Sequence, residues 1–290
     1  MTTQFNFEGI GTKWQISISK TLPEADKEKI LSLIKERIDI FDRAYSRFRD
    51  DSLVTKMSKE TGNFIFPEDA KPMLELYYDL YKRTDGFFTP LIGNLISDAG
   101  YDAKYSLQQK SNLKEVPKWE EVILYEHPNI QIKKPAILDF GAGGKGYLVD
   151  IVGNLLEENN ISEYFINAGG DILHKGQTPI RVGLENPEDI NQVIGVYTLQ
   201  NRSICGSAGN RRTWGEFTHI MNPKTRLSQK NILAVWVIAD TALLADSLAT
   251  CLFFIKAETL VNFYKFEYIL IKNDFSIEQS DNFSGEMFRK

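Results

Sequence analysis

The oxygen-bearing pair Asp246 and Thr250 is the first place in this sequence where chemistry could be done. The two residues are four apart in Ala245-Asp246-Ser247-Leu248-Ala249-Thr250, so on a helix they lie one above the other. That helix face also carries Ala242 and Phe253, and an unpaired carboxylate on a buried face is costly. Mg²⁺ would meet this need, because it binds oxygen ligands and typically uses few protein carboxylates plus substrate phosphates. Capping by Asp246, or an ion pair with a lysine or arginine, is the alternative.

A glycine-rich motif connects a predicted strand at 136–140 to a predicted helix at 146–158. Gly141, Gly143 and Gly146 have the spacing G-x-G-x-x-G. Glycines let backbone amides approach an anion at a helix N-terminus. The motif therefore favours a phosphate-bearing ligand, and a glycine-rich turn without a ligand is the alternative.

Two familiar nucleotide motifs fit this stretch poorly. A dinucleotide fingerprint needs a βαβ unit with an acidic residue roughly 20 residues on, whereas Asp171 comes late and about half the chain precedes the glycines. A P-loop needs Ser or Thr after its lysine, but Lys145 is followed by Gly146. A nicotinamide-dependent oxidoreductase is therefore a less favoured hypothesis.

Two further segments could line a ligand site. In His219-Ile220-Met221-Asn222-Pro223-Lys224-Thr225, a predicted strand at 217–221 ends in an Asn-Pro turn. Imidazole is the usual general base near neutral pH, although a lone histidine is more often structural. Cys205-Gly206-Ser207-Ala208-Gly209-Asn210-Arg211-Arg212 is typical of a loop lying against an anionic or planar ligand, and equally of a turn with solvated arginines.

The elements that must position these residues are mixed along the chain, which predicts an α+β fold with mixed or antiparallel sheets and packed helices. Alternating apolar residues predict a hairpin with strands at 5–9 and 13–19 and its turn at 9–12. The 3.6-residue period predicts helices at 23–43, 69–83, 241–255 and 258–266. Further strands are predicted at 164–167, 180–184, 193–199, 202–205, 232–237 and 268–271, and the end from 276 reads as polar and weakly structured.

Composition limits the class of protein. The chain has 290 residues, of which 42% are hydrophobic and 25% charged, with a formal net charge of −5. A mildly acidic chain argues against nucleic acid as the main partner, and no run of 18 apolar residues predicts a membrane span. Two distant cysteines, Cys205 and Cys251, are too few for a disulfide framework, so both are expected to be small buried hydrophobic residues. The first residues lack the basic and apolar regions of a secretory signal, so a cytoplasmic protein is expected.

These four motif-bearing segments, in their order along the chain, resemble the ApbE family of flavin transferases (FAD:protein FMN transferases). Further stretches are similar to the family's pattern: Gly9-Ile10-Gly11-Thr12, Ser46-Arg47-Phe48-Arg49-Asp50-Asp51-Ser52, Gly86-Phe87-Phe88-Thr89-Pro90 and Asn167-Ala168-Gly169-Gly170-Asp171. No single stretch is decisive, but their joint order and spacing are specific. They extend from residue 9 to about 254, which predicts one continuous catalytic unit over 1–290.

The resemblance implies an ApbE-like, T-fold-related architecture and a reaction. The family binds FAD and, with Mg²⁺, transfers its FMN moiety to a threonine hydroxyl of a target flavoprotein, releasing AMP. Some members instead hydrolyse FAD to FMN and AMP. An FAD-binding protein without transfer is a second alternative.

The resemblance also implies roles for individual residues. Asp246, Thr250 and the backbone carbonyl of Ala142 resemble the metal ligands, and His219 resembles the family's base for the acceptor hydroxyl. The remaining matched residues resemble contacts to the flavin nucleotide: Ile10, Phe48, Phe87, Phe88, Thr89, Asp139, Lys145, Ser207 and Ile220.

Three motifs depart from the family's pattern. Thr89 stands where G-x-F-D has its carboxylate, Asn222 stands where H-x-x-D-P has its carboxylate, and Ser207-Ala208-Gly209-Asn210 replaces S-G-x-Y. Asn222 can still make the hydrogen bonds of the turn. The two missing carboxylates slightly favour FAD binding without transfer, and they affect substrate placement more than the metal.

Overall fold

Helices and antiparallel strands are interspersed in the computed structural model, which describes residues 2–210 and 212–288. The helices are α1 (Glu24–Tyr45), α2 (Leu53–Met57), α3 (Lys71–Arg83), α4 (Gly93–Asp98), α5 (Trp119–Val122), α6 (Gly144–Glu158) and α7 (Ala242–Cys251). The strands are β1 (Thr3–Gly9), β2 (Thr12–Ile18), β3 (Gly62–Ile65), β4 (Ile123–Glu126), β5 (Asn129–Ile132), β6 (Tyr164–Ala168), β7 (Asp171–Lys175), β8 (Ile180–Glu185), β9 (Val193–Leu199), β10 (Ser203–Ala208), β11 (Thr213–Trp214), β12 (Phe217–Thr218), β13 (Ile232–Ala239), β14 (Glu267–Lys272), β15 (Ile277–Gln279) and β16 (Glu286–Met287). Short 3₁₀ turns lie at Glu68–Ala70, Pro90–Ile92 and Ala257–Thr259.

An eight-stranded antiparallel sheet in the order β1-β2-β6-β7-β10-β13-β14-β15 forms the centre of the fold. Its strand β13 shows why both faces are covered: Val235 and Val237 belong to one apolar cluster, while Ala234 and Trp236 belong to another. Successive side chains of a strand point to opposite faces, so each face needs its own covering layer.

Helices cover one face of this sheet and a smaller sheet covers the other. Helices α6 and α7 pack against each other and against β7, and α7 also packs on β10 and β13. The three-stranded sheet β16-β9-β8 covers the opposite face. The predicted α+β class with antiparallel sheets is confirmed.

Both cysteines lie in the core, as predicted. Cys205 and Cys251 are free thiols, both buried. Burial raises the pKa of each thiol above its ordinary value. Each therefore behaves as a small apolar residue of the core.

Three predicted elements are wrong or much shorter. Residues 136–140 form no strand, because the backbone makes hydrogen bonds elsewhere: the Asp139 N–H donates to the Pro90 carbonyl at 2.7 Å. The predicted helix at 258–266 is only the 3₁₀ turn Ala257–Thr259 and further turns, whose buried Leu260 imitated a helical period. The predicted strand at 217–221 shrinks to β12, with one isolated bridge at Met221.

The end of the chain is more ordered than its composition predicts. Strand β15 pairs with β14, and β16 pairs with β9, although both segments are polar. Backbone hydrogen bonds to an open sheet edge do not depend on apolar side chains. Within the described residues, no helix combines the length and the apolar character needed to cross a membrane.

Candidate active site

All the site residues predicted from the sequence line one cavity of about 1000 Å³. They come from distant parts of the chain: the β1–β2 turn, the segment after α1, the segment before α4, the start of α6, β10, the segment after β12, and α7. Geometry thus brings these residues together, while the role of each stays a prediction. Its lining also includes residues without a predicted role: Trp14, Asn167, Trp236 and Phe254.

Helices α6 and α7 meet at one end of the cavity, which we call the metal corner (Ala142, Lys145, Asp171, Asp246 and Thr250). The Thr250 hydroxyl donates to the Ala142 carbonyl at 3.3 Å. The Gly146 N–H donates to Oδ2 of Asp246 at 3.0 Å. The predicted i, i+4 pair of α7 therefore faces the predicted carbonyl ligand.

A glycine makes this close approach of the two helices possible. A Cβ on Gly146 would lie 2.2 Å from the Ala242 carbonyl oxygen and 2.8 Å from Cβ of Asp246. No side chain fits there, so this glycine of the G-x-G-x-x-G motif serves helix packing. The sheet pairs recorded for the described residues are all antiparallel, which argues against the βαβ unit of the dinucleotide-binding hypothesis.

The charges of the metal corner are strongly coupled. Burial, and then repulsion from Asp171, raises the pKa of Asp246 well above its ordinary value, against the opposing effect of Lys145. Lys145 forms an ion pair with Asp171 and donates to the Ala168 carbonyl at 3.3 Å. Burial lowers the pKa of Lys145, but Asp171 and Asp246 outweigh it, so the pKa lies above its ordinary value. The corner holds two carboxylates and one ammonium.

The donor atoms of this corner fit a small hard cation. Asp171 is fully buried, and its Oδ1 has no hydrogen-bond partner within the described residues. A carboxylate, a hydroxyl and a carbonyl are oxygen donors of the kind Mg²⁺ prefers. The described ranges 2–210 and 212–288 contain no cluster of three or more His, Cys, Asp or Glu residues able to hold a metal, which disfavours a zinc-type site.

Asp139 is held by a residue to which the sequence analysis gave no role. Its Oδ2 lies 2.5 Å from Nε of Arg47, and its Oδ1 accepts the Gly141 N–H at 2.7 Å. Arg47 is buried and donates also to the Tyr101 carbonyl at 2.9 Å. Its position beside Phe48 in a family-like stretch was the available signal.

His219 lines the cavity, where its surroundings favour the neutral imidazole. The side chain is half-buried, and its Nδ1 has no hydrogen-bond partner in the described part of the chain. Burial, and then the positive charge of Arg212, lowers the pKa of His219 to about 4. A neutral imidazole can accept a proton, so this residue is able to act as a base above that pH.

Turns and aromatic rings form another part of the cavity wall, which we call the loop wall (Ile10, Phe48, Phe87 and His219). The Phe87 and Phe254 rings are stacked with centroids 6.0 Å apart, and Nζ of Lys224 lies 4.3 Å from the centroid of Phe87. Phe48 stacks on the exposed Tyr105 at 5.2 Å. Apolar rings of this kind suit a planar aromatic ligand.

Ile10 occupies a strained position in this wall. It begins the two-residue turn between β1 and β2 with φ 45°, and Gly11 follows with φ 71°. Positive φ at both central residues is what a tight hairpin turn needs, but a β-branched residue adopts it at a cost. The strained turn places the apolar side chain of Ile10 at the cavity.

The remaining predicted contacts are built in different ways. Phe88 is almost fully buried and packs on Tyr77 with ring centroids 4.7 Å apart. Thr89 is buried, and its Oγ1 accepts the Leu91 N–H at 3.2 Å. Ile220 is buried beside His219. These residues line the cavity and serve the core or a turn at the same time.

The first part of the predicted loop at 205–212 is a strand. Residues Ser203–Ala208 form β10, which pairs with β7 and β13, so Ser207 is a strand residue at the cavity. Arg212 is exposed and lines the cavity. Arg211, the other predicted arginine, lies outside the described residues.

The two residues that stand in place of the family's carboxylates, Thr89 and Asn222, each stabilise the local backbone. Asn222 Oδ1 accepts the N–H groups of Lys224 and Thr225 at 2.9 and 3.1 Å, so the predicted turn bonds of Asn222 are confirmed. Thr89 caps the 3₁₀ turn Pro90–Ile92 through its hydroxyl. Both substitutions keep the backbone of their loops in place.

Comparison with known proteins gives relatives in sequence and in fold. The chain is 27% identical to a protein named FAD:protein FMN transferase of Buchnera aphidicola subsp. Schizaphis graminum, over 82% of this chain and 75% of the relative. It is 24% identical to the protein of the same name of Escherichia coli K12, over 82% of this chain and 74% of the relative.

Solved structures share the fold. The flavin transferase ApbE from Vibrio cholerae superposes with a TM-score of 0.80 at 20% identity, covering 97% of this chain and 96% of that one. The ApbE protein from Thermotoga maritima MSB8 superposes with a TM-score of 0.80 at 21% identity, covering 97% of both chains. The family model described as ApbE family matches residues 10–269. The chain therefore belongs to the ApbE family, the family of flavin transferases that its motifs resemble.

Proposed function

We propose that this protein is a Mg²⁺-dependent FAD:protein FMN transferase, which moves FMN from FAD to a threonine hydroxyl of a target flavoprotein and releases AMP. Membership of the ApbE family and the names of the relatives support a transferase acting on FAD. The observation that carries the proposal is the convergence, in one cavity, of the oxygen donors of the metal corner with the neutral imidazole of His219.

The proposal also covers the extent of the catalytic unit and the cell compartment in which the protein acts. Residues 1–290 form one catalytic unit in this proposal, because the cavity lining extends from Asn6 to Phe254. We expect the protein to act in the cytoplasm, which fractionation of cells that express it would test.

The metal corner binds the pyrophosphate end of FAD in this proposal. Asp246, the Thr250 hydroxyl and the Ala142 carbonyl would hold Mg²⁺, which when bound neutralises charge on the pyrophosphate and the departing phosphate. Lys145 keeps its positive charge beside Asp171 and contributes to the same end of the cavity. Asp139, held by Arg47, offers a fixed carboxylate to the flavin nucleotide.

The loop wall orients the flavin and the acceptor. His219 accepts the proton of the threonine hydroxyl, whose oxygen bonds to the phosphorus of the FMN moiety. The bond from that phosphorus to the bridging oxygen breaks, and AMP leaves with the electron pair. Because the imidazole is neutral at physiological pH, no proton must first be lost from it.

Hydrolysis of FAD to FMN and AMP is the second candidate. The same cavity would then bring water instead of threonine to the phosphorus. Thr89 and Asn222, which stand where the family pattern has carboxylates, lie outside the metal corner and slightly favour FAD binding without transfer. An FAD-binding protein without turnover would show neither reaction.

The test is to incubate the protein with FAD and Mg²⁺, with and without a purified acceptor domain of a covalently flavinylated protein. Mass spectrometry measures AMP and any mass gain of one FMN on the acceptor. Transfer predicts both products in equal amounts, hydrolysis predicts AMP and free FMN, and absence of AMP in every mixture contradicts both.

Two variants separate the metal corner from general loss of structure. Asp246→Ala should lower AMP release at least a hundredfold, because the one carboxylate among the proposed ligands is lost. Asp240→Ala removes an exposed carboxylate just before α7, whose side chain is 74% accessible, and should leave the rate unchanged. Transfer at the wild-type rate by Asp246→Ala would sink the proposal.

A further inference from the structure

Helices α6 and α7 face each other through three hydrogen-bonded rungs. Positions four apart on the α6 side meet positions four apart on α7 in the opposite order, as antiparallel helices require. The rungs are Thr250 Oγ1 to the Ala142 carbonyl at 3.3 Å, Gly146 N–H to Asp246 Oδ2 at 3.0 Å, and Ala242 N–H to Asp150 Oδ1 at 2.8 Å.

Asp150 supplies the third rung with both of its oxygens. Its Oδ2 accepts the Leu243 N–H, also at 2.8 Å. The first N–H groups of a helix have no partner within the helix, and a carboxylate at this end is also favoured by the helix dipole. The N-cap residue of α7 itself, Thr241, accepts the Leu244 N–H through its Oγ1 at 3.2 Å. Asp150 therefore ties the start of α7 to a neighbouring helix.

This rung differs from the other two in what it can fix. Gly146 allows close approach but has no side chain that could prevent the helices from sliding. The rungs of Asp246 and Thr250 contain the proposed metal ligands themselves. A carboxylate that holds two successive amides fixes both the axial position and the rotation of α7 from outside the ligand set.

We propose that Asp150 is a positioning residue, which sets the register of α7 on α6 so that Asp246 and Thr250 face the Ala142 carbonyl. The proposal rests on the proposed function, since it assigns Asp150 a role through the Mg²⁺ ligands. It follows that loss of this rung weakens the metal corner more than it weakens flavin binding in the loop wall.

The test compares Mg²⁺ binding by the wild type and Asp150→Asn. Thermal unfolding midpoints are measured with FAD while MgCl₂ is increased, because a ligand of the folded state raises the midpoint. Measurements are made at pH 8, since burial raises the pKa of Asp150 to about 7. Asparagine keeps one acceptor and turns an amide group toward an N–H. The Mg²⁺ concentration for half-saturation should rise at least tenfold, while the Kd for FAD without Mg²⁺ stays within twofold.

Thr241→Ala is the matched control, because it removes a cap from the same end of α7 without touching α6. It should lower the unfolding midpoint and leave the half-saturating Mg²⁺ concentration within twofold of the wild type. Amide hydrogen exchange at Ala242 and Leu243 should accelerate in Asp150→Asn. Asp150→Ser, which keeps a shorter acceptor, replaces Asp150→Asn should that variant not fold.

The outcomes separate this inference from the proposed function. A wild type without any Mg²⁺-dependent stabilisation contradicts the proposed function, and the role of Asp150 with it. A wild type that binds Mg²⁺, together with an Asp150→Asn variant of unchanged half-saturation, overturns the inference alone. Equal shifts in Asp150→Asn and Thr241→Ala also overturn it, because they indicate general weakening of the helix end.

Discussion

The metal corner and the loop wall of the cavity are built from different kinds of structure. The metal corner is made by two helices in close contact, with a glycine at the crossing and donors fixed by hydrogen bonds between helices. The loop wall is made by turns: Ile10 has φ 45°, and His219 follows the two-residue strand β12. Oxygen ligands must keep fixed distances to a small ion, whereas an aromatic ligand and a protein acceptor tolerate adaptable surfaces. We therefore expect substitutions to act very differently on these two regions.

The largest effect is expected for Gly146→Ala in the metal corner. The added methyl would overlap the Ala242 carbonyl and Asp246, so the helices must separate, at about 3 kcal/mol of unfolding free energy. Mg²⁺-dependent AMP release should disappear. Denaturant unfolding and the AMP assay measure these effects.

Gly209→Ala, at the residue that follows β10, is the matched control. A Cβ there has the Ile232 carbonyl oxygen at 3.6 Å as its neighbour, which is ordinary contact. Stability should change by less than about 0.5 kcal/mol. Equal losses in both variants would contradict the overlap at the helix crossing as the cause of the loss.

The second largest effect is expected for His219→Asn, and it should fall on the rate alone. Loss of a general base typically lowers a rate about a hundredfold or more, while the Kd for FAD and the unfolding midpoint should change little. In the wild type, the acid limb of log kcat/KM should lie near pH 4, because burial lowers the pKa of His219 to about that value.

The lowered pKa of His219 also makes the stability of the protein depend on pH. Between pH 6.5 and pH 4, the unfolded chain binds a proton at this histidine that the folded chain does not bind. Its contribution therefore makes stability rise as the pH rises through that window. An acid limb that stays unchanged in His219→Asn would speak against His219 as the base.

A moderate effect is expected for Ile10→Asn, with opposite signs for stability and binding. Asparagine adopts positive φ more readily, so stability should rise by about 1 kcal/mol. Loss of the apolar contact should weaken FAD binding roughly fivefold. Calorimetric unfolding and fluorescence titration with FAD measure the two changes.

Phe275→Asn provides the comparison for Ile10. Phe275 has φ 63° and is exposed in the turn between β14 and β15. It should gain similar stability without any change in the Kd for FAD. An unchanged Kd in Ile10→Asn as well would remove Ile10 from the loop wall's binding role.

The smallest effect is expected for Asn222→Asp. Aspartate can accept the same turn bonds from Lys224 and Thr225, so stability should stay within about 0.5 kcal/mol. The KM for the acceptor should change less than threefold. A tenfold gain in transfer over hydrolysis would instead assign the missing carboxylate a direct part in placing the acceptor.

Much of the fold was predictable where one local pattern dominates. The hairpin of β1 and β2, α1, α6 and α7 follow from alternation, helical period and glycine signals, with ends displaced by a few residues. Residues 136–140 and 258–266 were predicted wrongly, because buried apolar residues such as Leu138 and Leu260 have similar spacing in irregular segments. Local spacing records burial and does not record which backbone group accepts each hydrogen bond.

The candidate site likewise has features that could be predicted from the sequence and features that could not. Residue types and order were sufficient to predict the family, and they placed the oxygen-bearing pair Asp246 and Thr250 on one helix and His219 before an Asn-Pro turn. They gave no indication that Arg47 holds Asp139, or that Asp171 holds Lys145.

Donor atoms, helix periodicity and glycine positions are local properties, so the chemical groups that this protein offers could be predicted from its sequence. Which of these groups are buried together depends on the folded arrangement of distant segments. Burial and neighbouring charge then raise the pKa of Asp246, lower that of His219 and leave Oδ1 of Asp171 without a partner in the described chain. These effects depend on distances between residues far apart in sequence, and Asp150, which joins α6 to α7, is the residue whose role depends most directly on that arrangement.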